Sequence, residues 1–126
     1  MTTNPVGWFE IYVQDMNRAK GFYEGVFQVT LERLDSPKEM DIELWSFPMI
    51  KDHMGAPGAL VKMENGPSGG NCVLVYFMCT DCAIEAARAV SYGGQIVREK
   101  MSIGQYGFIA LIRDSEGNMI GLHSMQ

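Results

Sequence analysis

The chain repeats one pattern at an offset of 66 residues. Residues 8 to 27 read WFEIYVQDMNRAKGFYEGVF, and residues 74 to 93 read LVYFMCTDCAIEAARAVSYG. Each stretch alternates apolar residues as a strand does, reaches Asp15 or Asp81, and then changes to the spacing of a helix. A unit this small cannot bury its own sheet face. We therefore expect the two copies to pair and the surface between them to hold a ligand.

The gross composition is that of an ordinary globular protein. A length of 126 residues suits a single domain, and 47% of the residues are apolar and 20% charged. No window is apolar enough to span a bilayer, and the start MTTNPVG lacks the regions of a signal peptide. We expect a cytoplasmic protein that has no membrane partner.

The net charge and the cysteine count indicate which partners and which cellular compartment to expect. The net charge is −5 and the ten basic residues are scattered, which argues against nucleic acid as a partner. The cysteines Cys72, Cys79 and Cys82 are odd in number, so they cannot form a complete disulfide framework. A reducing compartment is consistent with this count.

Residues 6 to 64, which we call module one, predict strand, helix and three strands. The first strand presents two faces: Phe9, Ile11 and Val13 on the side expected to meet a helix, and Trp8, Glu10 and Tyr12 on the other. Asp15 is the expected N-cap of a helix that ends near Phe27. Further strands are predicted near 28–34, 42–48 and 58–63, with a loop KDHMGAPG before the last.

Residues 72 to 126, module two, predict the same order after a linker at 64–71. A strand at 72–79 precedes a helix from Asp81 to about Tyr92, which ends at two glycines. Strands follow near 95–99, 107–113 and 119–124, and residues 114 to 118 form a tight turn. Each module is thus predicted to be βαβββ.

D-x-x-x-A-x-x-FY opens the first helix and D-x-x-G-N precedes the last strand. With the doubled βαβββ arrangement, these motifs resemble those of the vicinal oxygen chelate superfamily, which includes glyoxalase I, bleomycin-resistance and extradiol-dioxygenase proteins. The chain is most similar to a glyoxalase-related group of uncharacterised proteins with the segments WFEI, GALVK, IG-x-x-GF and EGN-x-x-GLHS. These are Trp8–Ile11, Gly58–Lys62, Ile103–Phe108 and Glu116–Ser124 here.

The resemblance implies an α+β fold in which two tandem βαβββ modules form a cupped eight-stranded mixed sheet with helices on the convex side. It also implies a homodimer, with swapped and unswapped pairing both open. Superfamily members that use a metal carry histidine or glutamate on the first and last strands of each module. Carried over, these positions are Trp8, Leu74 and Gly121, with the fourth lying within residues 59 to 63.

None of these positions offers a metal donor. A Zn²⁺, Ni²⁺ or Fe²⁺ site needs three or four converging nitrogen, oxygen or sulfur atoms. We therefore expect no metal and no cofactor, and no direct basis for glyoxalase I isomerisation or ring cleavage. A non-standard metal site remains an alternative, since Glu10 and His123 share strand parity with Trp8 and Gly121.

Three residues are candidates for catalysis. Glu10 would be a base, and a carboxylate in an apolar face needs a partner; the structural alternative is a hydrogen bond to a neighbouring tyrosine or amide. His123 would be a base or an anchor, and Tyr76 or His123 would donate to developing oxyanion charge. The structural alternative for His123 is a hydrogen bond to its partner strand or to solvent. His53 is expected to be solvated.

The segment from Cys79 to Cys82 is a C-x-x-C at a helix start, which could indicate redox chemistry. We favour a structural interpretation, in which the two cysteines are small apolar core residues and Asp81 caps the helix. Trp8, Tyr12, Trp45, Leu74, Met78 and Gly121 are expected to line an adaptable, apolar ligand site.

The leading hypothesis from the sequence is a metal-independent protein that binds a small, largely apolar organic molecule, with isomerase or lyase-type proton transfer as its chemistry if it has one. The rival is a protein of the bleomycin-resistance sort, which sequesters a compound without chemistry. A carboxylate among aromatic residues suits a cationic, planar guest of such a protein.

Overall fold

A computed structural model describes residues 4–36, 41–52, 54–64 and 73–126. Module one contains β1 (Val6–Tyr12), α1 (Met16–Phe27), β2 (Glu32–Leu34), β3 (Ile42–Ser46) and β4 (Gly58–Met63). Module two contains β5 (Val73–Met78), α2 (Cys82–Ser91), β6 (Gln95–Ser102), a short 3-10 turn (Gly104–Tyr106), β7 (Phe108–Arg113) and β8 (Met119–Ser124). The predicted α+β class, with two tandem βαβββ modules and eight strands in mixed pairing, is confirmed.

The chain separates into two compact units. One runs from Trp8 to Val73, and the other comprises Leu74–Gln126 together with the residues up to Gly7. The predicted linker, Cys72 and His53 lie outside the described residues, apart from Glu64. Among the residues that the structure describes, neither helix has the length and apolarity needed to cross a bilayer.

Both helices begin at the predicted aspartates. The Asp15 side chain accepts the backbone N–H of Arg18 at 3.0 Å, and the Asp81 side chain accepts that of Ala83 at 3.1 Å. Each cap satisfies a donor that would otherwise have no partner in the first helical turn. Gln28 ends α1 with a left-handed φ of 54°.

The module-one strands are ordered β2-β3-β4-β1, with β1 parallel to β4 and the other pairs antiparallel. The predicted helix-facing side of β1 is confirmed, since Ile11 and Val13 pack with Met16 of α1 and with Leu60. The strand predicted at 28–34 begins only at Glu32. Just before it, the N–H of Leu31 donates to the Glu24 carboxylate at 2.8 Å, so this N–H is not used in strand pairing.

The module-two strands are ordered β5-β8-β7-β6, with β5 parallel to β8. Their core packs beneath α2 and consists of Cys82, Ala86, Ala110, Ile112 and Leu122. The predicted turn between β7 and β8 is confirmed. Asp114 accepts the N–H groups of Glu116 at 2.8 Å and Asn118 at 2.9 Å. β6 runs to Ser102, longer than predicted, and contains two register shifts.

Candidate functional site

A single acidic group lies on the face of β1 opposite α1, which we call the open face of module one. Trp8, Glu10 and Tyr12 project from this face at alternate positions of the strand. Trp8 Nε1 donates to Glu10 Oε2 at 3.1 Å, and the Tyr12 hydroxyl donates to Glu10 Oε1 at 2.8 Å. Each carboxylate oxygen therefore has an aromatic donor from the same strand. The structural alternative predicted for Glu10, a hydrogen bond to a neighbouring tyrosine, is observed.

The phenol of Tyr12 is held in its protonated form. Burial raises its pKa far above the ordinary value of 10.0, and the adjacent Glu10 charge and hydrogen bond raise it further. Tyr12 thus remains a donor throughout the physiological pH range. Hydrogen bonds from Trp8 and Tyr12 fix the position of the carboxylate on the open face.

Trp45 does not lie on this face. It pairs with Leu60, whose side chain belongs to the core beneath α1, and its indole packs against that core. Lys20 Nζ lies 3.3 Å from the ring centroid, and Trp45 Nε1 donates to Glu43 at 2.8 Å. The predicted placement of Trp45 with Trp8 and Tyr12 is therefore wrong, because the strand presents it to the helix.

Module two places its predicted residues on the face opposite α2, the open face of module two. Leu74 and Tyr76 are buried there and Met78 is half-exposed. Tyr76 pairs with Gly121 and Met78 with His123. A Cβ atom added to Gly121 would lie 2.8 Å from Tyr76 Cγ and nearer still to two other ring atoms. The tyrosine ring therefore occupies the space above Gly121.

His123 anchors the turn that joins β6 to β7. Its Nε2 atom lies 2.6 Å from the backbone carbonyl of Tyr106, an acceptor, so Nε2 carries the proton. In the neutral ring Nδ1 is then an acceptor and has no proton to give. Gly107 completes the turn with a φ of 101°, and a Cβ there would meet the carbonyl of Ser124. The observed partner of His123 is thus a carbonyl of this turn, and the roles of base and anchor stay predictions.

The sequence profile of the Glyoxalase/Bleomycin resistance protein/Dioxygenase superfamily matches residues 6–122. The chain belongs to this superfamily. No curated protein matches it. A hypothetical protein from Bacillus halodurans C-125 is similar in structure, with a TM-score of 0.74 and 11% identity over 99% of this chain and 96% of the other.

Two other similar structures are those of methylmalonyl-CoA epimerases. Streptomyces coelicolor methylmalonyl-CoA epimerase in complex with 2-nitronate-propionyl-CoA has a TM-score of 0.69 and 14% identity, covering 98% of each chain. Methylmalonyl-CoA epimerase from Mycobacterium tuberculosis has a TM-score of 0.69 and 15% identity, covering 97% of this chain and 88% of that one. At these identities the likeness shows the fold that these proteins share with the chain.

The strand pairing identifies the residue of module one that corresponds to Gly121. Glu10 pairs with Ala59 in module one, as Tyr76 pairs with Gly121 in module two, so Ala59 corresponds to Gly121. Ala59 is fully buried, and the Tyr76 ring fills the space above Gly121. None of the four residues has a donor atom in its side chain that a metal prefers. The residues at these positions do not fit the metal that other superfamily members hold.

No other metal-binding group is evident in the described parts of the chain, where no three histidine, cysteine or acidic side chains converge. The C-x-x-C segment is also unsuited to thiolate chemistry. Cys82 is fully buried in the core of module two, and burial, followed by the charge of Glu85, raises the pKa of Cys79 to about 11. Cys79 is therefore a neutral thiol near pH 7.

The segment that connects β3 to β4 forms a surface depression that the sequence did not indicate. Its volume is about 120 Å³, and its lining consists of Pro48, Ile50, Met54, Gly55, Ala56 and Pro57. The predicted glycine-proline loop marked this segment only as a connection. The side chains of this lining include none that bind or activate a polar substrate.

Proposed function

We propose that this superfamily member binds a small, largely apolar organic molecule without a metal, and that Glu10 on the open face of module one recognises a cationic group of that molecule. The observation that carries the proposal is the fixed position of the Glu10 carboxylate between Trp8 and Tyr12. A buried or half-buried carboxylate that is held by two donors attracts a positive charge and discriminates against a negative one.

The surroundings of Glu10 support binding of an apolar body. Ala59 and Val61 pair with Glu10 and Tyr12, so they share the open face and are both buried. Trp8 and Tyr12 are only partly buried, so their two aromatic rings provide the contact area for an apolar body. Ligand sites typically combine such a lining with a small number of placed polar atoms. Aromatic faces add attraction for a cation.

Metal independence is proposed from the residue types at the superfamily's metal positions. Trp8, Ala59, Leu74 and Gly121 supply no ligand atoms, so a metal would have to be held by residues elsewhere. The non-standard pair of Glu10 and His123 gives too few donors by itself. Both side chains also have hydrogen-bond partners already, Glu10 with Trp8 and Tyr12 and His123 with the Tyr106 carbonyl.

The test compares phenyltrimethylammonium with its neutral isostere tert-butylbenzene by isothermal titration calorimetry. Glu10→Gln keeps the side-chain shape and removes the charge. Glu43→Gln is a matched control, because Glu43 also accepts an indole N–H within its own strand but lies with Trp45 on the other face. We expect Glu10→Gln to weaken binding of the cation about tenfold or more, and Glu43→Gln to leave it unchanged.

The proposal fails if the cation binds no more tightly than the neutral isostere. It also fails if Glu10→Gln and Glu43→Gln have equal effects, since the charge of Glu10 would then have no special part in recognition.

Proton transfer with Glu10 as base is the second candidate function. Its alternative is sequestration, in which the ligand is bound and not converted. The Nε2 proton of His123 is directed at the Tyr106 carbonyl, so it is not available to stabilise an oxyanion. Deuterium incorporation into a bound carbon acid in heavy water would show turnover, and Glu10→Gln should reduce its rate by about 10²-fold or more. Binding without deuterium incorporation would identify sequestration.

The homodimer implied by the superfamily resemblance is part of the proposal. Multi-angle light scattering of the purified chain tests it, and a monomeric mass at micromolar concentration would remove it.

A further inference from the structure

Two arginines lie on the open face of module two. Leu111 of β7 shares this face because it pairs with Gly121, the partner of Tyr76. Arg98 pairs with Leu111, and Arg113 is two residues from Leu111 on the same strand. Side chains of paired residues point to the same face of a sheet. Arg98 and Arg113 are therefore diagonal neighbours across the β6–β7 pair.

A β-bulge brings Arg98 to this face. From Gln95 to Arg98, β6 advances three positions, while β7 advances only two from Arg113 to Leu111. A regular ladder would have placed Val97 opposite Leu111 and turned Arg98 towards the α2 side. Bulges redirect side chains in this way and occur often beside functional sites.

Neither arginine has an acidic partner among the residues that the structure describes. Both arginines are exposed, whereas Lys100 forms an ion pair with Asp81. The recorded side-chain contact of Arg98 is a weak one, from Nη1 to the Met101 sulfur at 3.6 Å. Diagonal positions on an antiparallel pair are about 7–8 Å apart at the backbone, so both guanidinium groups can reach one anion. The chain as a whole has a net charge of −5, so these two neighbouring arginines form a locally positive surface on an acidic protein.

Apolar side chains border the arginine pair. Ile109 and Leu111 lie between the pair and the His123 end of the face, and Met119 pairs with Arg113. All three are only partly buried, so they offer contact area to a ligand. We propose that the open face of module two binds a small amphiphilic anion, with a carboxylate or phosphate group held by Arg98 and Arg113 and an apolar body on Leu111 and Met119. Planar guanidinium groups match both anions through paired hydrogen bonds.

This inference rests on module two alone, so it can fail or succeed independently of the proposal for Glu10. The probes are phenylacetate, phenyl phosphate and the neutral analogue phenylacetamide, titrated calorimetrically at low ionic strength. The variants are Arg98→Gln and Arg113→Gln. Arg88→Gln, in α2, is the matched control because it makes the same charge change at another exposed arginine.

We expect at least one anion to bind about tenfold or more tightly than phenylacetamide, and each site variant to weaken that binding about tenfold. Arg88→Gln should leave it unchanged. The tighter anion identifies a carboxylate or a phosphate ligand. Equal or undetectable binding of all three probes overturns the inference. So does an equal loss in Arg88→Gln, which would show attraction by overall charge.

Discussion

Gly121 is the position at which a single methyl group should be most informative. In Gly121→Ala the added Cβ would lie within 3.0 Å of three atoms of the Tyr76 ring. Tyr76 is only 6% exposed, so its ring cannot move into solvent. Overpacking of this kind costs about 3 kcal/mol at the upper end of its usual range. Alanine has fewer conformations than glycine in the unfolded chain, which offsets about 0.7 kcal/mol of this cost. The free energy of unfolding should therefore fall by about 2 kcal/mol.

Urea and thermal unfolding followed by far-ultraviolet circular dichroism measure this loss. For a domain of this length it corresponds to a fall in Tm of roughly 8 °C. Gly21→Ala is the matched control, because no atom lies within 4 Å of the added Cβ in α1. That variant should gain about 0.5–1 kcal/mol of stability through helix propensity.

A double-mutant cycle identifies the cause of the loss. Tyr76→Val removes the ring atoms, so Gly121→Ala should cost less than about 0.5 kcal/mol in that background. Unchanged stability in Gly121→Ala alone, or additive losses in the double variant, would refute the conclusion that the tyrosine ring fills the superfamily's metal position.

Three further predictions concern titration, thiol reactivity and helix capping. The folded-state pKa of Tyr12 is raised above 10.0, so the stability that its protonated phenol contributes is complete below pH 10 and is lost as the pH rises further. Urea unfolding at a series of alkaline pH values should show this loss in the native protein and not in Tyr12→Phe. The pKa of about 11 for Cys79 predicts that iodoacetamide alkylates it slowly at pH 8 and faster towards pH 11. Rapid labelling of the peptide that contains Cys79 in the folded protein at pH 8, measured by mass spectrometry, would contradict this. Asp15→Ala should cost about 1 kcal/mol while Asp15→Asn retains the cap, and equal stabilities of the two variants in urea would contradict this role.

Local sequence signals predicted the helix starts and the last turn well. Asp15, Asp81 and Asp114 act through side-chain hydrogen bonds to backbone N–H groups only a few residues away. Such contacts depend on short-range geometry, so the residue types and their spacing are enough to predict them.

Placement on a sheet face was less predictable where each face of a strand carries a large apolar side chain. In β3 Ile42 and Leu44 alternate with Glu43 and Trp45, so the alternation does not say which set meets the helix. Only the pairing of Trp45 with Leu60 decides it. The position of Arg98 depends on a bulge in β6 that no glycine marks in the sequence. Tertiary pairing determines both features.

Metal content tests the central claim of metal-independent binding most directly. The chain is purified from medium supplemented with zinc, nickel and iron, and its metal is measured by inductively coupled plasma mass spectrometry together with binding of phenyltrimethylammonium. The account predicts ligand binding with no stoichiometric metal, unchanged by chelator. One equivalent of metal per chain, lost in Glu10→Gln and His123→Gln together with ligand binding, would contradict it.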